Sequence, residues 1–141
     1  MKKKISIMVV DDESIVRESL YHWFVKSGHT VDTAASGFEA LEKLEQIPFD
    51  ILFVDIKMPG MDGIQTLREI KKLKPLVEVI MLTGHASLES ASEGMALGAF
   101  DYLMKPFNID ELLYKVQDAC MMKRIQEDKI KHLEEVVSKS H

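Results

Sequence analysis

Residues 50–63 read DILFVDIKMPGMDG, and this stretch decides the fold. Its apolar run, residues 51–54 (ILFV), is too continuous for a strand with one wet face. Bounded by Asp50 and Asp55, it suits a parallel strand covered by helices on both sides. Asp55 stands where that strand should end. Pro59, Gly60 and Gly63 then force a loop, because Pro cannot pair in a sheet and Gly tolerates turn conformations. A carboxylate at the C-terminal end of a buried strand lies where open α/β sheets hold their ligands. Asp55 is therefore expected to be the reactive centre, with the rest of the chain as its support.

Working outward, residues 5–10 read as a buried strand ending at the acidic run Asp11, Asp12, Glu13. Val16, Leu20 and Phe24 follow at helical spacing, with Gly28 as the stop. Residues 30–34 form a second strand with no acid at its end. Ser36 and Glu39 make a capping-box pattern for a helix through Leu41 and Leu44 that must end before Pro48. Beyond the central loop, Ile64, Leu67, Ile70 and Leu73 share one helical face, closed by Pro75. Residues 77–82 are a fourth apolar strand ending at Thr83. Ser87 is placed to cap a helix reaching Leu97, with Gly98 as terminator. Residues 100–104 are a fifth strand, followed by Lys105-Pro106. Asn108 and Glu111 repeat the capping-box pattern before a long last helix.

Five strands alternating with five helices imply βαβ units and a doubly wound α/β fold with a parallel sheet. The flavodoxin-like strand order 2-1-3-4-5 suits the chain. It sets strands one and three side by side, so that Asp11, Asp12 and Asp55 meet, and sends the chemically bare second strand to the edge.

At 141 residues the chain is long enough for one sizeable core and too short for two ordinary domains. Its 46% apolar and 29% charged content is globular composition. The net charge of −5 argues against a nucleic-acid-binding surface, so no direct nucleic-acid contact is expected. One cysteine, Cys120, cannot form an internal disulfide and fits a reducing, cytoplasmic setting. The N-terminal apolar run is too short for a signal peptide, and no stretch has the apolar length of a membrane span.

All strand ends of a parallel sheet face one rim, so Asp11, Asp12, Asp55, Thr83 and Lys105 should gather there. Crowded carboxylates raise each other's pKa unless a cation sits among them. Oxygen ligands and partial hydration suit Mg²⁺. Carboxylates, a hard dication, a hydroxyl and an ammonium together fit phosphoryl transfer, and a carboxylate can itself become an aspartyl phosphate. Each residue taken alone has a plainer use: Asp as a helix cap, Thr83 as a loop former, Lys105 as a solvated lysine, Tyr102 as a core aromatic. His85 has no Cys or His partner at ligand spacing, which argues against a transition-metal site. The nine methionines are most simply core filler.

In order along the chain, MVVDDE, LFVDIKMPGMDG, VIMLTGHAS and FDYLMKPF resemble the receiver domains of two-component response regulators, the chemotaxis receivers among them. The resemblance covers about residues 5–116. It implies that Asp55 accepts a phosphoryl group from a phosphohistidine on a sensor histidine kinase. It further implies that Asp12, Asp55 and the backbone carbonyl of Lys57 bind Mg²⁺, with Asp11 acting through water. Thr83 and Lys105 would each pair with a phosphate oxygen, and Pro106 would follow a cis bond. Tyr102 would turn inward as Thr83 moves, remodelling the face made by the fourth helix, fifth strand and fifth helix. Lys57 and His85 occupy positions expected to influence the phosphoaspartate lifetime.

The resemblance fits a phosphoacceptor switch that promotes its own phosphorylation and dephosphorylation, not a conventional enzyme. A phosphatase with an aspartyl nucleophile often carries a second Asp two residues on, where this chain has Lys57. A flavin carrier would want a hydroxyl- and glycine-rich loop after the first strand, where this chain has Asp-Asp-Glu. A binding-only receiver is disfavoured because every chemical position is filled. The receiver is expected over residues 1–120, and residues 121–141 as a helical extension or linker. In that tail Met122, Ile125, Ile130, Leu133 and Val137 follow a heptad only roughly. Its plainer reading is a frayed amphipathic end; the sharper one is a linker to an output domain or downstream partner, with a homodimer through the tail or the switch face left open.

Overall fold

The computed structural model describes residues 4–84 and 88–139. Five strands, β1 (Ser6–Val10), β2 (Thr30–Ala34), β3 (Ile51–Asp55), β4 (Glu78–Thr83) and β5 (Asp101–Met104), alternate with five helices. The helices are α1 (Ser14–Lys26), α2 (Gly37–Gln46), α3 (Gly63–Leu73), α4 (Leu88–Ala96) and α5 (Ile109–Lys139). Every strand pair is parallel, in the order β2-β1-β3-β4-β5. The expected doubly wound fold and its strand order are both found.

The continuous apolar runs are explained by two cores, one on each face of the sheet. Met8, Val10, Leu52, Val54, Val79 and Met81 pack under α2, α3 and α4 with Leu44, Leu67 and Ile70. The alternate residues Ile7, Val9, Ile51, Phe53, Ile80 and Leu82 pack under α1 and α5 with Leu20, Phe24, Leu112 and Val116. Phe24 stacks on Phe53 at 5.4 Å between centroids, fixing α1 over β3. With both faces covered, period-two polarity has no place in β1, β3 or β4. Among the described residues no helix is long and apolar enough to cross a membrane.

The edge strand β2 is only partly covered. Its Asp32 side chain accepts from the Thr33 N–H at 2.8 Å, and Lys43 of α2 donates to Asp32 at 2.9 Å and to the Thr33 carbonyl at 2.6 Å.

Local chemistry sets the element ends. Gly28 and Gly98 adopt φ of 91° and 106° just beyond α1 and α4, a region that favours glycine. Ser36 accepts from the Glu39 N–H at 3.2 Å, while the Glu39 carboxylate returns to Ala35 rather than to Ser36, one residue off the expected box. Asn108 accepts from the Glu111 N–H at 2.8 Å. The complete reciprocal box is Asp62 with Gln65 at the start of α3. The cap expected from Ser87 lies outside the described residues. Leu73, expected on one face with Ile64, Leu67 and Ile70, is the last residue of α3 and is 39% exposed. Thr83 is the last residue of β4.

Gly63 is needed for a reason other than turn freedom. A Cβ there would collide with the Asp55 carbonyl and the Ile56 Cα, both backbone atoms that cannot step aside. The absent side chain lets α3 start directly against the end of β3, and the Gly63 N–H donates to Ile56 O at 2.9 Å. Gly63→Ala should therefore cost about 3 kcal/mol or more. Gly28→Ala, strained in φ but with open space around it, should cost about 1–2 kcal/mol. Urea denaturation of the two variants checks this order.

Candidate functional site

The site forms where β1, β3 and β4 end together. β1 and β3 pair through Val10 and Val54, which brings Asp11 beside Asp55. One ligand oxygen from each of Asp11, Asp12 and Asp55 lies within 4.8 Å of the others. Asp11 is fully buried, Asp55 is buried with 6% exposure, and Asp12 faces solvent. The Asp11 carboxylate accepts from the Glu13 N–H at 2.9 Å. Arg17 of α1 donates to the Asp11 carbonyl at 2.6 Å, tying the turn to the first helix.

Lys105 arrives from β5. Thr83 and Met104 are paired, and the Lys105 N–H donates to Thr83 O at 2.7 Å. The Lys105–Pro106 bond is cis, as expected. The Lys105 ammonium lies 3.0 Å from Asp11, 3.5 Å from Glu13 and 3.6 Å from Asp55. Thr83 is buried, and its hydroxyl donates to Gly84 O at 3.0 Å. Tyr102 is 38% exposed and opposes Met81 in the neighbouring strand, so strand alternation sets it on the same side of the sheet as Thr83. Its ring is outward here. Lys57 has an exposed side chain, and its backbone N–H reaches the Asp55 carboxylate. His85 lies outside the described residues.

The charges do not balance. Burial and the neighbouring Asp11 charge push the Asp55 pKa from 3.8 up to about 7, with Asp12 adding to them. Lys105 and the Lys57 N–H pull the other way without prevailing. Burial works to lower the Lys105 pKa, but Asp11, Asp55 and Glu13 outweigh it and hold the ammonium above the ordinary lysine range. The Lys105 ammonium thus lies within 3.6 Å of three carboxylates, with Asp12 close by the cluster. Three close oxygens, one of them at the solvent edge, suit a hard, partly hydrated dication, and Mg²⁺ fits this donor set.

Of the residues singled out in the sequence, Asp11, Asp12, Asp55 and Lys105 are brought together, with Thr83 beside them. Tyr102 stands two positions along β5 from Met104, the residue paired with Thr83. Sequence reasoning gave no role to Glu13 or Arg17. The Asp-Asp-Glu run and the four-residue step from Glu13 to Arg17, one helical turn, were the available signals.

Comparison with known proteins points the same way. The family model described as the response regulator receiver domain matches residues 7–117. Regulatory protein AtoC of Escherichia coli strain K12 is 39% identical over 134 residues, covering 95% of this chain and 29% of that protein. The DNA-binding transcriptional regulator NtrC of the same strain is 43% identical over 113 residues, covering 80% of this chain and 24% of that protein. The chain therefore spans under a third of the length of these relatives. The crystal structure of the receiver domain of NtrX from Brucella abortus is similar with a TM-score of 0.79 and 34% identity, covering 82% of this chain and 98% of that one.

Because the folded state holds the Asp55 proton more tightly than the unfolded chain does, its cost to folding is absent below about pH 4. It grows as pH rises and is complete above about pH 7. In metal-free buffer Asp55→Asn should thus be more stable than the parent at about pH 8, by roughly 2 kcal/mol, and the gap should shrink towards about pH 5. Thermal or urea unfolding across that range measures it.

Proposed function

The chain belongs to the response regulator receiver family, and from that membership we propose that Asp55 is its phosphoryl acceptor. What supports the reading is the meeting of Asp11, Asp12 and Asp55 within 4.8 Å, with the Lys105 ammonium 3.6 Å from Asp55. The Asp55 carboxylate attacks the phosphorus of a phosphohistidine on a sensor kinase. The phosphorus–nitrogen bond breaks, an acyl phosphate forms, and the imidazole leaves to take up a proton. Asp12 and Asp55 would hold Mg²⁺ with the main chain of Lys57, and Asp11 would act through water. When bound, Mg²⁺ would supply positive charge to keep the acids ionised and offset the incoming phosphoryl oxygens. Lys105 turns from Asp11 towards one phosphoryl oxygen, and Thr83 exchanges Gly84 O for another. Hydrolysis of the acyl phosphate returns the switch, with Lys57 and His85 setting its rate.

Thr83 and Tyr102 carry the signal outward. As the hydroxyl is drawn to the phosphate, space opens on the side of the sheet that Tyr102 shares, and the ring moves in. The face of α4, β5 and α5, where Met95, Tyr102, Ile109 and Tyr114 are exposed, changes shape for an output domain, a downstream partner or a second copy. A cytoplasmic setting fits a partner kinase that uses phosphohistidine. Of the relatives, NtrC is a DNA-binding regulator by name. For the present 141 residues, net charge −5, we infer no direct nucleic-acid contact.

Intact-mass measurement after incubation with acetyl phosphate and Mg²⁺ tests the assignment. One phosphoryl group should be gained by the parent, none by Asp55→Asn and none in the presence of a chelator. Label retained by Asp55→Asn overturns it. Asp11→Asn should weaken Mg²⁺ binding roughly 10–100-fold, read by titration.

A further inference from the structure

The last helix leaves the domain at a particular point and in a particular direction. Of the α5 side chains, Leu112, Val116 and Ala119 are in the core. Beyond them Met121, Ile125, Ile130, Leu133 and Val137 are all exposed. One turn past Ala119, however, Lys123 has a side chain only 17% exposed. Its ammonium lies 3.0 Å from one Asp50 oxygen and 3.4 Å from Glu127.

Asp50 is itself rigidly held. Its other oxygen accepts from the Ser6 N–H at 2.8 Å, its own N–H donates to Ser6 O at 2.8 Å, and its carbonyl accepts from Glu78 N at 3.2 Å. Glu78, the first residue of β4 and buried, lies in the field of Lys71 and Lys123. A cation from α5 is therefore paired with Asp50, which itself ties the starts of β1 and β4 to that of β3 through Ser6 and Glu78. The neighbouring Arg124 is exposed and makes no ion pair among the described residues, so basic character alone does not produce the contact.

We propose that Lys123 fixes the direction of the C-terminal half of α5 by clamping it to the starts of β3 and β4. The helix then moves with the sheet as one body at least to Glu127, and the working boundary falls after that residue instead of at 120. An exposed ion pair contributes little because two mobile side chains must be ordered. Here Asp50 is already immobilised by backbone, so only the lysine gives up freedom. The two strands gripped at their starts are those that end in Asp55 and Thr83, about 17 Å away along β3. The clamp itself stands without the phosphoryl-acceptor reading; its use in output control rests on it.

Nitroxide labels test the clamp in the full chain. With Cys120→Ala as background, labels at Glu45→Cys on α2 and Glu135→Cys on α5 report the helix direction by electron-electron distance measurement, diluted with unlabelled protein to suppress contacts between copies. The parent should give a narrow distribution. Lys123→Met, which keeps the aliphatic stem, and Asp50→Asn, which keeps an acceptor for Ser6, should each broaden it about twofold. Lys123→Arg should restore it, and helicity by circular dichroism should be unchanged throughout. Distributions that coincide with the parent's in Lys123→Met overturn the proposal, as does broadening accompanied by loss of helix. Acetyl phosphate labelling of Lys123→Met should match the parent, so failure of the clamp and failure of the Asp55 assignment are read separately.

Discussion

Like charges forced together at the rim of the sheet are the constraint around which the domain is arranged. Asp11 and Asp55 are buried, Asp12 is beside them, and a single lysine from a distant strand answers them. No carboxylate cluster of this kind stabilises a fold; the sheet has to hold it against repulsion and desolvation. Two apolar cores and fully covered central strands provide that hold. The strain of the cluster suits the site to a dication, whose positive charge would relieve part of it. Stability and reactivity are thus set against one another at Asp55.

The support around the site is mostly backbone. Gly63 lets α3 begin against the Asp55 carbonyl, and the reciprocal Asp62–Gln65 cap keeps that helix start in place. Arg17 holds the Asp11 carbonyl, and Lys105 hangs from Thr83 through its own amide. The Asp11 carboxylate is itself oriented, with the Glu13 N–H on one oxygen at 2.9 Å and the Lys105 ammonium on the other at 3.0 Å. Partners of this kind aim a carboxylate at a ligand site and fix its orientation.

The strand order and the gathering of Asp11, Asp12, Asp55 and Lys105 were legible in the sequence, because parallel strands send all their ends to one rim. Covered strands were legible too, from the uninterrupted ILFV and VIML runs. Other features depend on three-dimensional neighbours that spacing does not encode. Gly63 looked like a turn glycine, whereas its requirement comes from the backbone it touches. Leu73 fitted the apolar period but stands at the last position of α3, where it is 39% exposed. The Lys123–Asp50 pair joins residues 73 apart, and nothing local marks either partner. Which acid Lys105 prefers is a matter of tenths of an ångström.

A sheet with free margins invites a neighbouring molecule to add a strand, the first step towards aggregated β-structure. At β2 that step is blocked from within. The Thr33 amide is taken by Asp32 and its carbonyl by Lys43, both from the same chain. An incoming strand would find those docking points occupied and a charged pair in its path. The β2 margin thus discourages the addition of a strand at Thr33.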